Sequence, residues 1–135
     1  MTKRRKCREL ALQFLFSSEF DTKFNQEKFS AFQQEHDIAG SEYAYVQTLV
    51  QGVLLYQSTI DELIQKHSPD WKMERLALVD KNILRIAILE MKLIEPTLAP
   101  AIAINEAIEM TKRFAATESR AFVNSLLDKI SKISS

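Results

Sequence analysis

The chain has 135 residues, 46% of them hydrophobic and 27% charged, and its formal net charge is zero. That is one domain's worth of protein, too apolar to stay disordered and able to bury roughly two-thirds of its unfolded surface. Two glycines, three prolines and one cysteine exclude an internal disulfide framework and argue against turn-rich all-β and Rossmann-type folds.

Helical period dominates from the first residues. Cys7, Leu10, Ala11, Phe14 and Ser18 share one face at i, i+3, i+4 spacing, which predicts a first helix over 3–20. Arg5, Leu12 and Phe16 are expected on the opposite face, with Phe20 nearby. A short helix over 25–36 turns Phe29 and Phe32 inward. Gly40 breaks the chain and Ser41 is placed to cap a third helix carrying Val46, Leu49, Val50, Val53, Leu54 and Tyr56. Ser58 with Asp61 and Thr59 with Glu62 resemble capping boxes, so a separate helix is expected over 59–67.

Ser68-Pro69-Asp70 ends it. A short helical turn is expected within Trp71–Leu78, then a strong helix from Val79 to Ile94 with Ile83, Leu84, Ile86, Ala87 and Met91 inward. Pro96 and Pro100 bracket an extended linker. The next helix runs from Ile102 to Ala115. The last is capped by Thr117 or Ser119 and buries Val123, Leu126, Leu127 and Ile130. No segment alternates with period two for long enough to be a strand. The expected architecture is all-α, a compact single-domain bundle of about seven helices over 1–135.

The charges are segregated. Residues 1–8 carry five bases and no acid, residues 9–70 ten acids against three bases, and residues 71–135 ten bases against eight acids. The basic arm is suited to a polyanion. It is followed by the apolar run Leu10–Phe16, but Glu9 and Gln13 and the missing cleavage pattern argue against a signal peptide. No apolar run approaches the ~18 residues of a membrane span. A cytoplasmic protein is expected.

Enzyme readings do poorly. No glycine pair is close enough for a phosphate cradle, and His36 and His67 have no catalytic spacing. Two histidines and one cysteine make a poor metal set. Glu106 and Glu109, at i, i+3, read as a solvated helix face. Cys7 lies on the apolar stripe and reads as a buried structural cysteine despite its basic neighbours. Phe16 is the sharper feature: cations beside a stranded ring can bind phosphates and stack an unpaired base. On pattern alone, a nucleic-acid surface, a protein-interaction surface and a plain bundle all stay open.

Three stretches narrow the choice: RRKCRELALQFLF (4–16), DWKMERLALVDKNILRIAILEM (70–91) and AIAINEAIEMTKRFAATESRAFVNSLLDKI (101–130). Together they resemble the NusB family of bacterial transcription antitermination factors: its Arg-rich first helix, its Trp segment leading into an Ile-Leu-Arg helix, and its C-terminal helix pair. The resemblance implies an RNA-binding protein with no enzymatic activity and no cofactor. Its RNA would be the boxA element of ribosomal RNA leaders. Its partner would be the small-subunit ribosomal protein called NusE in this role, and the complex would join elongating RNA polymerase with other Nus factors.

Position by position, the resemblance puts Arg4, Arg5 and Arg8 in the Arg-rich motif on the RNA, and Lys6 between them is expected from its charge to contact RNA phosphate as well. Phe16 matches a tyrosine in many relatives, Phe122 a phenylalanine near the RNA, and Arg120 flanks it. Asp80 matches an acidic position on the ribosomal-protein face. Asn105, Glu106, Asn124 and Asp128 are expected to satisfy buried backbone groups at helix ends. Ala101, Ala115 and Ser125 depart from the family's usual residues, the last two from glycine. A helical adaptor without RNA contact and a domain related to ribosomal RNA methyltransferases remain alternatives. The free protein is expected as a monomer or a homodimer.

Overall fold

The computed structural model describes residues 3–19 and 23–133. Among them six α-helices occur in chain order: α1 (Lys3–Ser17), α2 (Gln26–His36), α3 (Gly40–His67), α4 (Leu78–Ile88), α5 (Pro100–Phe114) and α6 (Ser119–Ser131). A 3₁₀ turn, Met73–Arg75, precedes α4, and a π turn, Leu89–Leu93, extends it. No strand occurs among the described residues. Helix α4 is the hub, packing against α1, α3, α5 and α6, while α1 also packs on α3 and α5 on α6. The buried side chains form one continuous core.

The expected break at residues 58–59 is absent. Helix α3 runs unbroken through both capping-box sequences, because Ile60 and Ile64 continue the fully buried stripe of Val46, Leu49, Val50 and Val53. Burying two more isoleucines is worth roughly 1.5–3 kcal/mol each, and a cap only about 1. This fusion lowers the helix count from the expected seven to six.

Capping differs elsewhere too. Ala39, not Ser41, is the N-cap of α3. Glu118 holds that position in α6 without a side-chain cap, and neither Thr117 nor Ser119 takes it. Asn25 does cap α2, accepting from the Lys28 backbone N–H at 3.0 Å. Asp37, at φ 50, supplies the left-handed C-cap of α2 where glycine is usual. Ala115 ends α5 in extended backbone, φ −115 and ψ 171. The turn is therefore built without the left-handed residue that would require glycine.

Gly52 lets α3 pack closely on Leu89, where the π turn follows α4. A Cβ there would meet Leu89 Cδ2 at 2.8 Å and Cδ1 at 2.9 Å. Deeper under α1, Phe14 packs edge-on against Phe29 and Phe32, both at 5.2 Å between ring centroids. Arg85 ties α4 to α3 by two bonds to Asp61, each 2.9 Å.

Candidate nucleic-acid interface

Helix α1 presents two very different sides. Cys7, Leu10, Ala11, Phe14 and Ser18 are buried as their spacing predicts. Leu12 is buried too, at 3% exposure, against the expectation that it shares an outer face with Phe16. The reason is that both α3 and α4 flank α1, so its apolar arc is wider than one stripe. Phe16 remains outside, 53% exposed. Phe20 lies outside the described residues.

The basic residues separate by environment. Arg4 is exposed, with its guanidinium carbon 3.5 Å from the centre of the Tyr45 ring. Lys6 is exposed and 3.7 Å from a Glu42 carboxylate oxygen. Arg5 donates twice to Glu106 on α5, at 3.1 and 2.8 Å. Arg8 is 5% exposed and donates twice to Glu90 in the π turn, at 2.8 and 3.0 Å, and once to Glu106 at 3.2 Å. This placement does not fit the expectation that Arg8 takes a phosphate directly, because its donors are committed to two carboxylates.

Glu90 is almost fully buried and also accepts the Tyr45 hydroxyl. Burial first, then the bond to Glu90, pushes the Tyr45 phenol up to about 12, so it keeps the proton it donates. Burial pulls the Arg8 guanidinium down, but its bonds to Glu90 outweigh that and leave it above its ordinary value. The Arg5 hydrogen bond holds the Glu106 carboxyl below the usual range, against opposing desolvation. A cleft of about 460 Å³ opens beside this cluster, between Arg4, Tyr45, Thr48 and the linker 94–98.

Cys7 lies under the same arm, its Sγ donating to the Glu42 carbonyl at 3.7 Å. Burial, followed by the Glu42 charge, pushes its thiol up. It is structural as expected, and the surrounding bases do not activate it.

A second cluster lies on α6 and the segment before α4. Phe122 packs at 5.8 Å, tilted, against Trp71, a residue that is 56% exposed. Arg120 is exposed two residues earlier. Two shallow clefts flank the aromatic pair, one reaching Lys129 and the other Arg75 and Asp80. Asp80 is buried, accepts the Ser119 hydroxyl at 2.9 Å, and leaves its Oδ1 without a hydrogen-bond partner. Burial pushes its carboxyl up against that bond. Placed this way, Asp80 is the foot of a cleft wall and not an open charged surface.

The expected backbone-satisfying quartet is not what forms. Glu106 bonds arginines, Asn105 and Asn124 are exposed, and Asp128 pairs with Lys132 at 3.0 Å. Tyr45, Glu90 and Trp71 carry no expected site role, yet they complete both clusters. Glu90 has a readable signal: it is the one acid in the mainly apolar segment 83–94, directly after the apolar run Ile86–Leu89, where burial demands a cation. Among the described residues, no group of three or more His, Cys, Asp or Glu side chains could hold a metal ion, and no helix is long and apolar enough to cross a membrane.

Residues 5–132 match the model of the NusB family. The transcription antitermination protein NusB of Bdellovibrio bacteriovorus is 42% identical over 133 residues, 98% of this chain and 97% of its own length. That of Myxococcus xanthus is 37% identical over 96% of this chain and 95% of its own. Among solved structures, T. maritima NusB superposes with a TM-score of 0.83 at 30% identity, covering 98% of this chain and 92% of that one. A structure of antitermination factors NusB and NusE in complex with double-stranded RNA gives 0.84 at 26% identity, covering 98% of both chains. With near-complete coverage from both sequence and fold, the chain belongs to the NusB family of transcription antitermination proteins.

Proposed function

We propose that this chain is an RNA-binding antitermination factor that takes the boxA element of ribosomal RNA leaders together with the ribosomal protein NusE, and acts in the cytoplasm on RNA polymerase with other Nus factors. The observation that carries the reading is the set of side chains that α1 leaves exposed. Arg4 and Lys6 stand exposed at its start and Phe16 at its end, which combines phosphate attraction with a stacking face. NusE and RNA accompany NusB in one of the superposable structures.

Within this reading Arg4, Arg5 and Lys6 meet phosphates, and Phe16 stacks a base. Arg120 and Phe122 extend the surface on α6. Arg8 acts from beneath, holding Glu90 and Glu106 neutralised. Asp80 serves the protein-partner side by fixing Ser119, and with it the first turn of α6.

Titration of boxA RNA into the chain, alone and mixed with NusE, tests the reading. A one-to-one protein complex should bind the RNA more tightly than either protein alone. Three phosphate contacts to a single strand predict a slope of log K against log salt of about −2. A complex with NusE that leaves RNA untouched would favour the adaptor reading. No complex and no RNA binding at micromolar concentrations would overturn the proposal.

A further inference from the structure

Arg4 sits at the start of α1, where an exposed arginine ordinarily samples many rotamers. Here its guanidinium lies 3.5 Å from the centre of the Tyr45 ring. Tyr45 belongs to the second turn of α3, and its far end is fastened: the hydroxyl donates to Glu90. Glu90 is in turn gripped by both prongs of Arg8. The ring is thus fixed at its edge and offers one face to Arg4. Held 3.5 Å from the ring centre, the guanidinium has five N–H donors, and those not turned to the Tyr45 oxygen are left for a ligand. Arg4 borders the cleft between Tyr45, Thr48 and the linker 94–98. Arg8 cancels the Glu90 charge, which would otherwise repel a phosphate at that wall.

We infer that Tyr45 is a positioning residue for RNA binding, its ring face holding the Arg4 guanidinium with donors aimed into the cleft where a backbone phosphate sits. The inference rests on the RNA-binding reading above and deepens it. Its energetic basis is preorganisation: an arginine already ordered loses less entropy on binding. Tyr45→Leu removes the face, and Tyr45→Phe keeps the face while losing the hydroxyl.

The test has two arms. In NMR spectra of the free full-length chain, the Arg4 side-chain protons should be shifted upfield by the ring current, retain that shift in Tyr45→Phe, and lose it in Tyr45→Leu. In titrations with boxA RNA and NusE, Tyr45→Leu should bind about two- to fivefold more weakly, the size of an exposed cation–π hold. Tyr45→Phe should recover most of that loss. Added to Arg4→Ala, Tyr45→Leu should cost nothing further, a result that a merely structural tyrosine would not give. An equal loss with and without Arg4, a Tyr45→Phe variant as weak as Tyr45→Leu, or an unshifted Arg4 in the wild-type chain would overturn the inference. If the wild-type chain binds no RNA at all, the functional reading fails, while the NMR arm still decides whether Tyr45 holds Arg4.

Discussion

Arg8 and Glu90 meet through two parallel bonds, Nε to Oε1 at 2.8 Å and Nη2 to Oε2 at 3.0 Å, both side chains shut away from solvent. The pair joins the first helix to the π turn 82 residues later. A π turn inside a helix shifts the register of the downstream residues by one position. Leu89, Glu90 and Met91 in the turn continue an unbroken buried run that begins at Asn82 in α4.

Breaking this pair on one side should be costly. Arg8→Ala strands a buried carboxylate, and such losses run to about 3–5 kcal/mol. Urea unfolding should show a large drop in midpoint for Arg8→Ala, and a small one for Arg4→Ala, whose guanidinium is exposed. Equal, small shifts for both would mean that the pair is solvated.

Phe16→Ala should leave the urea midpoint nearly unchanged, because the ring is mostly outside the core. RNA affinity should fall by about tenfold to a hundredfold, the range for losing one base stack. Large instability with normal binding by the folded fraction would show that the ring is structural.

Acid sensitivity should run through Glu106. Its folded pKa lies below the ordinary 4.5 because of the Arg5 bond, with burial opposing. The group therefore contributes stability that is fully present above that ordinary value and is lost as pH falls through the lower folded one. Asp80 has the opposite sign: burial raises its folded pKa, so its contribution declines as pH rises between the two values. Glu106→Gln should flatten the acid limb of a stability–pH curve. An unchanged limb would place the titrating groups elsewhere.

Gly52→Ala should destabilise by about 1 kcal/mol. Alanine gains about 1 kcal/mol of helix propensity, but overpacking a core costs about 1–3. In a Leu89→Ala background the clash disappears and the same change should become stabilising. A thermal or urea comparison of the four variants reads the sign directly.

Helical period alone is enough to find every α-helix among the described residues, even α2, where Phe29 alone is fully buried and Phe32 half-buried beside it. What it cannot order is competition. Ser58 and Thr59 have good caps locally, yet Ile60 and Ile64 find a core partner only if α3 continues. The same limit applies to the site. Exposure of Phe16 is legible from its offset to the stripe, whereas Arg4, in line with Cys7 and Ala11, is exposed because the stripe runs past the core at the start of α1. The burial of Arg8 is not, because its partners come from α5 and the π turn, far away in sequence. Leu12 escapes a one-helix reading because a single helix cannot reveal how many neighbours flank it.

Cys7 turns this architecture into a clock. It is the one thiol in the chain, sealed beneath the arm that bears the arginines and held in its unreactive protonated form by burial and by Glu42. An alkylating reagent reaches it only when α1 lifts away, so the rate of modification counts those openings. No engineered label is needed to follow them. A polyanion that grips the arm would slow the count.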